Sequence, residues 1–143
     1  MRGNDLICNL ELKTGVFEYR GIEEKVLQLI KGAGMTDRVI ISSFNHYSVL
    51  RMKALAPEIV CGLLSDSWLI DAGAYVKRLG CEYYHPSFRN VTPKLAGEIL
   101  SEVGINTWTV NEEEDIKEMF LLGVDSVIGN FPDRISRIRS ELD

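Results

Sequence analysis

Apolar and polar positions along this chain switch repeatedly between two periods. At residues 6–13 they alternate, with Leu10 and Leu12 on one side of an extended segment and Asn9, Glu11 and Lys13 on the other. From Ile22 the apolar residues Val26, Leu29 and Ile30 recur at helical spacing, and the pattern stops near Gly32 and Gly34. The β-branched run Val39-Ile40-Ile41-Ser42-Ser43-Phe44 predicts a second strand. Asn45 is then placed to cap a helix carrying Val49, Leu50, Met52 and Leu55, which ends at Pro57.

The alternation continues to the end of the chain. Residues 59–64 predict a strand, 69–79 a helix stopped by Gly80, and 81–85 a strand ending at Pro86. Thr92-Pro93 opens a helix with a hydroxyl at the cap and proline in the first turn, closing at Gly104. Residues 105–110 predict the next strand. Asn111 with Glu114 three positions later reads as a capping box for the helix that follows, and Glu112 and Glu113 suit its positive end. Gly123 stops that helix. Residues 126–131 predict a last strand, and residues 133–142 a last helix with Ile135, Ile138 and Leu142 on one side.

About six strand–helix units result, spaced as parallel βα units require. No linker or low-complexity tract interrupts them, so residues 1–143 are expected to form a single domain. Strict alternation of strand and helix means α/β architecture with a helix-covered parallel sheet. Two folds satisfy it: an open doubly wound sheet, and part of a (β/α)₈ barrel. No glycine-rich phosphate loop follows the first strand, which weakens the nucleotide-binding version. The glycines at 32, 34, 80, 104 and 123 read as helix ends.

Composition narrows the function classes. The chain has 143 residues and a net charge of −5. Nucleic-acid binders normally present a basic stripe, so no nucleic-acid partner is expected. An anionic small substrate stays open, because one lysine or a metal can set the local sign. No apolar run is long enough to span a bilayer, and no signal-peptide pattern opens the chain. The three cysteines, Cys8, Cys61 and Cys81, lack CxxC spacing and lie in or beside apolar strands. They read as buried free thiols of a reducing, cytoplasmic compartment.

In either fold, ligands gather beyond the carboxyl ends of the strands. Those ends carry Glu11 and Lys13, Ser43 and Phe44, Leu64 and Ser65, His85, Trp108 and Asn130. A carboxylate and an ammonium two residues apart at an interior strand end are costly unless they bind each other, a metal or an anion. The bland alternative is an edge strand whose charged face is in water. Glu11 suits a hard cation, Lys13 a phosphate or carboxylate, and Trp108 an organic substituent. His85 suits acid–base work if it has a partner, or else hydrogen-bonds the Pro86 turn. His46, beside a helix cap, reads as surface, and Arg134, Arg137 and Arg139 read as a solvated helix face. The set is incomplete. Magnesium or calcium needs more than a lone carboxylate unless substrate phosphates complete the shell.

Five segments in order carry a resemblance. They are Asn9-Leu10-Glu11-Leu12-Lys13, the run from Val39 to Phe44 with Asn45, His85-Pro86, Trp108-Thr109-Val110-Asn111, and the run from Gly123 through Gly129-Asn130-Phe131-Pro132. Together they resemble the glycerophosphodiester phosphodiesterase family. The resemblance implies a (β/α)₈ TIM barrel and divalent-cation-dependent hydrolysis of glycerophosphodiesters to glycerol 3-phosphate and an alcohol. Glu11 then resembles the metal-ligand glutamate of the family's third barrel strand, and Lys13 the residue that meets the substrate phosphate. Phe44, His85 and Trp108 fall where the pocket wall would be.

The family also carries a His-Arg-Gly strand, a Glu-x-Asp strand and a His-Asp turn, which supply its two catalytic histidines and most metal ligands. No strand or turn of this sequence carries any of them. The chain therefore resembles the last six of eight units, a partial barrel whose N-terminal catalytic strands are absent. His46 and His85 do not match the catalytic positions. Six barrel strands leave two unpaired edges, so self-association or pairing with an N-terminal barrel segment is expected. The expected function is a phosphodiesterase portion inactive alone, with the divalent cation weakly held or absent. A non-catalytic, anion-binding or self-associating scaffold is the alternative.

Overall fold

The computed structural model describes residues 6–142. Six strands alternate with six helices: β1 Cys8–Glu11, α1 Ile22–Gly32, β2 Val39–Ser43, α2 His46–Leu55, β3 Val60–Ser65, α3 Ala72–Arg78, β4 Tyr83–Pro86, α4 Pro93–Leu100, β5 Gly104–Thr107, α5 Glu113–Leu121, β6 Ser126–Val127 and α6 Pro132–Leu142. All strand pairings are parallel, and the sheet order is β1-β2-β3-β4-β5-β6. That order separates the two candidate folds. A doubly wound sheet reverses its strand order partway across, whereas a barrel winds in one direction. The chain is a partial barrel.

One face of the sheet is buried under the helices. Leu12, Ile41, Cys61, Leu63, Tyr84 and Ile105 meet Leu27, Ile30, Val49, Met52, Val76, Ile99, Ile116 and Met119 in a continuous core. Alternation along each strand sends the other residues to the concave side. There Ile7, Asn9, Ile40, Tyr83, His85, Asn106, Ser126 and Ile128 line a cavity of about 280 Å³. Because every strand runs the same way, all carboxyl ends share one rim, the mouth of the incomplete barrel. The outer edges of β1 and β6 have no strand partner among the described residues.

Several local expectations hold, and others shift for identifiable reasons. Asn45 caps α2 by accepting from Tyr47 N at 3.2 Å, and Thr92 caps α4 by accepting from Leu95 N at 3.2 Å. Gly34, Gly80 and Gly123 adopt positive φ at helix ends, where a side chain is disfavoured. Gly104 opens β5 instead of ending a helix, and a Cβ there would strike the Tyr83 ring. Helix α3 starts at Ala72, not Leu69, because Asp71 sits in the left-handed region at φ 54°. Asn111 does not cap α5. Its Oδ1 accepts from Asn130 N at 2.9 Å, tying two rim loops together, and Glu112 takes the cap position. Strand β6 is only Ser126–Val127. All three cysteines are free, Cys61 and Cys81 buried and Cys8 half-buried. Burial pushes the Cys61 thiol up to about 12 and Cys81 up to about 11, which makes both poor nucleophiles at neutral pH. Among the described residues, no helix is long and apolar enough to cross a membrane.

Candidate active site at the barrel mouth

Glu11 ends β1 and shares the concave face with Asn9. Lys13 lies two residues further along the same side, since Leu12 between them is buried in the core. Both charged residues are exposed, and neither has a hydrogen-bond or ion-pair partner among the described residues. Water solvates them, so the cost foreseen for ionised groups at an interior strand end does not arise here. A carboxylate and an ammonium stand side by side at the rim, available to a ligand.

Phe44 and Trp108 meet at the same rim. Their ring centroids are 5.4 Å apart and nearly perpendicular, at 82°. They follow β2 and β5, so the edge-to-face pair bridges across the ends of the two strands between. Trp108 is fastened to the end of β4 through three groups. Its indole Nε1 donates to His85 O at 2.7 Å, its amide to Pro86 O at 3.2 Å, and its carbonyl accepts from Phe88 N at 2.8 Å.

His85 lies beneath this wall instead of on it. It is fully buried, and burial drives its pKa down to about 4, so the ring is neutral near pH 7. Asn106 Nδ2 donates to Nε2 at 3.0 Å, which places the ring proton on Nδ1. Nδ1 has no partner among the described residues, and neither does the buried hydroxyl of Ser42. The ring lies flat over Gly62, where any Cβ would overlap it. His85 is expected in the pocket wall; its imidazole lies on the concave side, where it lines the cavity with Asn106 while being fully buried.

His46 also differs from its expected surface role. Its Nε2 donates to Leu64 O at 2.9 Å, and Nδ1 accepts from Tyr75 Oη at 3.0 Å. As the first residue of α2 it turns toward α3 and the end of β3. It contributes to a second cavity of about 370 Å³ with Leu69, Ile70, Asp71, Tyr75 and Arg78, and none of the mouth residues line that cavity. The terminal arginines are engaged as well. Arg134 donates to Asn111 O and lies 4.5 Å from the Phe131 ring centroid, and Arg137 pairs with Glu113. Arg139 lies 5.0 Å from the Phe120 ring centroid.

The donor set does not make a divalent-cation site. Among the described residues, no three His, Cys, Asp or Glu side chains cluster to hold a metal ion. Glu11 offers one oxygen donor group where magnesium or calcium takes six or more ligands.

Sequence reading missed the support behind Lys13. Thr14, Glu23, Ser48 and Arg51 form a polar network next to the end of β1. Gly62 was also missed, although a lone glycine inside a strand run signals close approach of another group.

A one-way-wound parallel α/β barrel with charged and aromatic groups at its carboxyl rim defines a class of enzyme-bearing scaffolds. Within that class, residues 3–134 match the Glycerophosphoryl diester phosphodiesterase family, and the chain belongs to that family. A glycerophosphodiester phosphodiesterase of Caldanaerobacter subterraneus subsp. tengcongensis is 38% identical over 132 residues, covering 92% of this chain and 54% of that protein. A glycerophosphodiester phosphodiesterase from Parabacteroides distasonis superposes with a TM-score of 0.82 at 19% identity, over 96% of this chain and 59% of that one. An Oleispira antarctica phosphodiesterase, solved in complex with the product sn-glycerol-3-phosphate, gives a TM-score of 0.82 at 23% identity, over 95% of this chain and 56% of that one. The chain spans about half the length of the curated relatives it matches.

Proposed function

We propose that this chain is the larger portion of a phosphodiesterase barrel that hydrolyses glycerophosphodiesters to glycerol 3-phosphate and an alcohol, and that it needs a complementary segment to do so. Glu11 is the group this chain offers to a divalent cation. Lys13 neutralises the substrate phosphate. Phe44 and Trp108 wall the organic part of the ligand, and His85 with Asn106 supports that wall from below. One observation carries the reading: in a barrel of this family, Glu11 and Lys13 stand exposed together, without a side-chain partner among the described residues, at the rim where such barrels bind ligands.

The chemistry this chain supplies is partial. Moving a proton to a leaving alcohol needs a titratable group at the mouth. Of the two histidines, His85 is fully buried and His46 is hydrogen-bonded at both ring nitrogens. The described residues place no cluster of three acidic, histidine or cysteine side chains to complete a cation's shell around Glu11. The free thiols fit a cytoplasmic setting.

Glycerophosphocholine hydrolysis by the full chain tests the reading. In Mg²⁺ or Ca²⁺ it proceeds no faster than with Glu11→Ala. Metal-dependent turnover that disappears in that variant would overturn the reading. The scaffold alternative draws on the open outer edges of β1 and β6, which suit addition of a further strand. Size-exclusion chromatography with light scattering separates the two association states, and a stable monomer speaks against edge pairing between copies.

A further inference from the structure

The Lys13 side chain has no partner among the described residues, but the residue on each side of it is pinned. Leu12 N donates to Ser42 O at 2.8 Å, and Leu12 O accepts from Ser43 Oγ at 2.5 Å. Thr14 O accepts from Asn45 Nδ2 at 3.1 Å, and Thr14 Oγ1 is 2.6 Å from Ser48 Oγ. Both hydroxyl residues, Thr14 and Ser48, are buried, at 4% and 0% exposure.

A charged pair stands behind them. Arg51 Nη2 donates to Ser48 Oγ at 3.0 Å, and Arg51 Nε donates to Glu23 Oε1 at 3.0 Å. Ser48 also lies near enough to the Glu23 carboxyl to favour its charged form. Arg51 thus links Ser48 to the Glu23 carboxylate, and Ser48 in turn holds the Thr14 hydroxyl. Glu23 is 2% exposed, and its burial opposes the charge. Hydrogen bonds from Ser48, its own backbone and Arg51 overcome that and hold the carboxyl below its ordinary range. The pairing also occupies Arg51. A guanidinium is the better fork for phosphate, yet this one is spent on Glu23 and Ser48, leaving Lys13 as the unpaired cation at this strand end among the described residues.

We propose that Thr14 and Ser48 are positioning residues for Lys13: their buried hydroxyl pair, anchored on Glu23 and Arg51, fixes the end of β1 so that the Lys13 ammonium is held ready for a phosphate group at the mouth. The inference rests on the reading that Lys13 meets phosphate. Such pre-organisation lowers the ordering cost of binding without touching the ligand.

The test uses the full chain with inorganic phosphate and sn-glycerol 3-phosphate as probes, read by NMR titration, together with backbone relaxation at Lys13. In the wild type the Lys13 amide is as rigid as the β1 amides, with an order parameter of about 0.85. Thr14→Val removes the hydroxyl at nearly constant shape. It lowers the Lys13 order parameter and weakens phosphate binding by about fivefold or more. Thr14→Ser restores both, which a loss of packing alone would not explain. Ser48→Ala repeats the effect and serves if Thr14→Val does not fold. A Lys13 amide already mobile in the wild type overturns the proposal. So does a folded Thr14→Val or Ser48→Ala chain with unchanged phosphate affinity while Lys13→Ala loses it. Phosphate binding absent in the wild type, or unaffected by Lys13→Ala, overturns instead the reading on which the proposal rests.

Discussion

The indole of Trp108 donates to the backbone carbonyl of His85 at 2.7 Å, so the rim aromatic is fastened to the strand that carries the buried imidazole. The same ring meets Phe44 edge-to-face. Trp108→Phe keeps an aromatic ring but loses the hydrogen bond, and is expected to lower stability by about 1 kcal/mol. Urea denaturation measures this. The chain has two tryptophans, and Trp68 is 63% exposed, so the blue-shifted part of the emission belongs to Trp108. Emission that stays equally blue in Trp108→Phe contradicts the assignment.

Gly62 leaves room for the His85 ring, and no side chain fits there without displacing it. Gly62→Ala is expected to destabilise by about 1–3 kcal/mol, the range for overpacking a tight core. Shortening the opposing residue removes the conflict, so the penalty of Gly62→Ala shrinks in a His85→Ala background. A double-mutant cycle in urea checks the coupling, and strict additivity would mean the two groups do not press on each other.

The buried, neutral His85 ties stability to pH. Its folded pKa is about 4 and its ordinary value about 6.5, so between those values the unfolded chain binds the extra proton. The contribution is full above about pH 6.5 and is lost as pH falls toward 4, by about 3 kcal/mol in all. Urea midpoints measured from pH 7 to pH 4.5 should fall for the wild type. In His85→Gln that slope should flatten across this window. An equal slope in both chains refutes the assignment. Glu23 adds loss of stability at lower pH only, because its depressed pKa gives a contribution that disappears as the carboxyl is protonated.

The sheet was legible because period and punctuation agree along most of the chain. Alternation at Asn9, Leu10, Glu11 and Leu12 assigned the faces of β1, and the caps at Asn45 and Thr92 marked two helix starts. Strand order was not legible from pattern, since every βα repeat looks alike until the neighbours are known. Asn111 misled because a cap side chain and a loop tie need the same amide. Only the nearness of Asn130, nineteen positions away, decides between them. The polar rim group was readable from strand ends. The inward aim of His85, the bonds of His46 to Tyr75 and Leu64, and the Thr14–Ser48 pair depend on residues distant in sequence, where local spacing carries no signal.

Reconstitution tests whether Glu11 serves an active site that a second segment completes. The full chain is mixed with a separate segment bearing the family's His-Arg-Gly and Glu-x-Asp strands, and release of glycerol 3-phosphate from glycerophosphocholine is followed with and without Mg²⁺ or Ca²⁺. The expected result is no turnover by either piece alone, and cation-dependent turnover by the mixture that Glu11→Ala abolishes. A mixture that forms a stable complex yet never turns over, or one whose activity survives Glu11→Ala, contradicts the account.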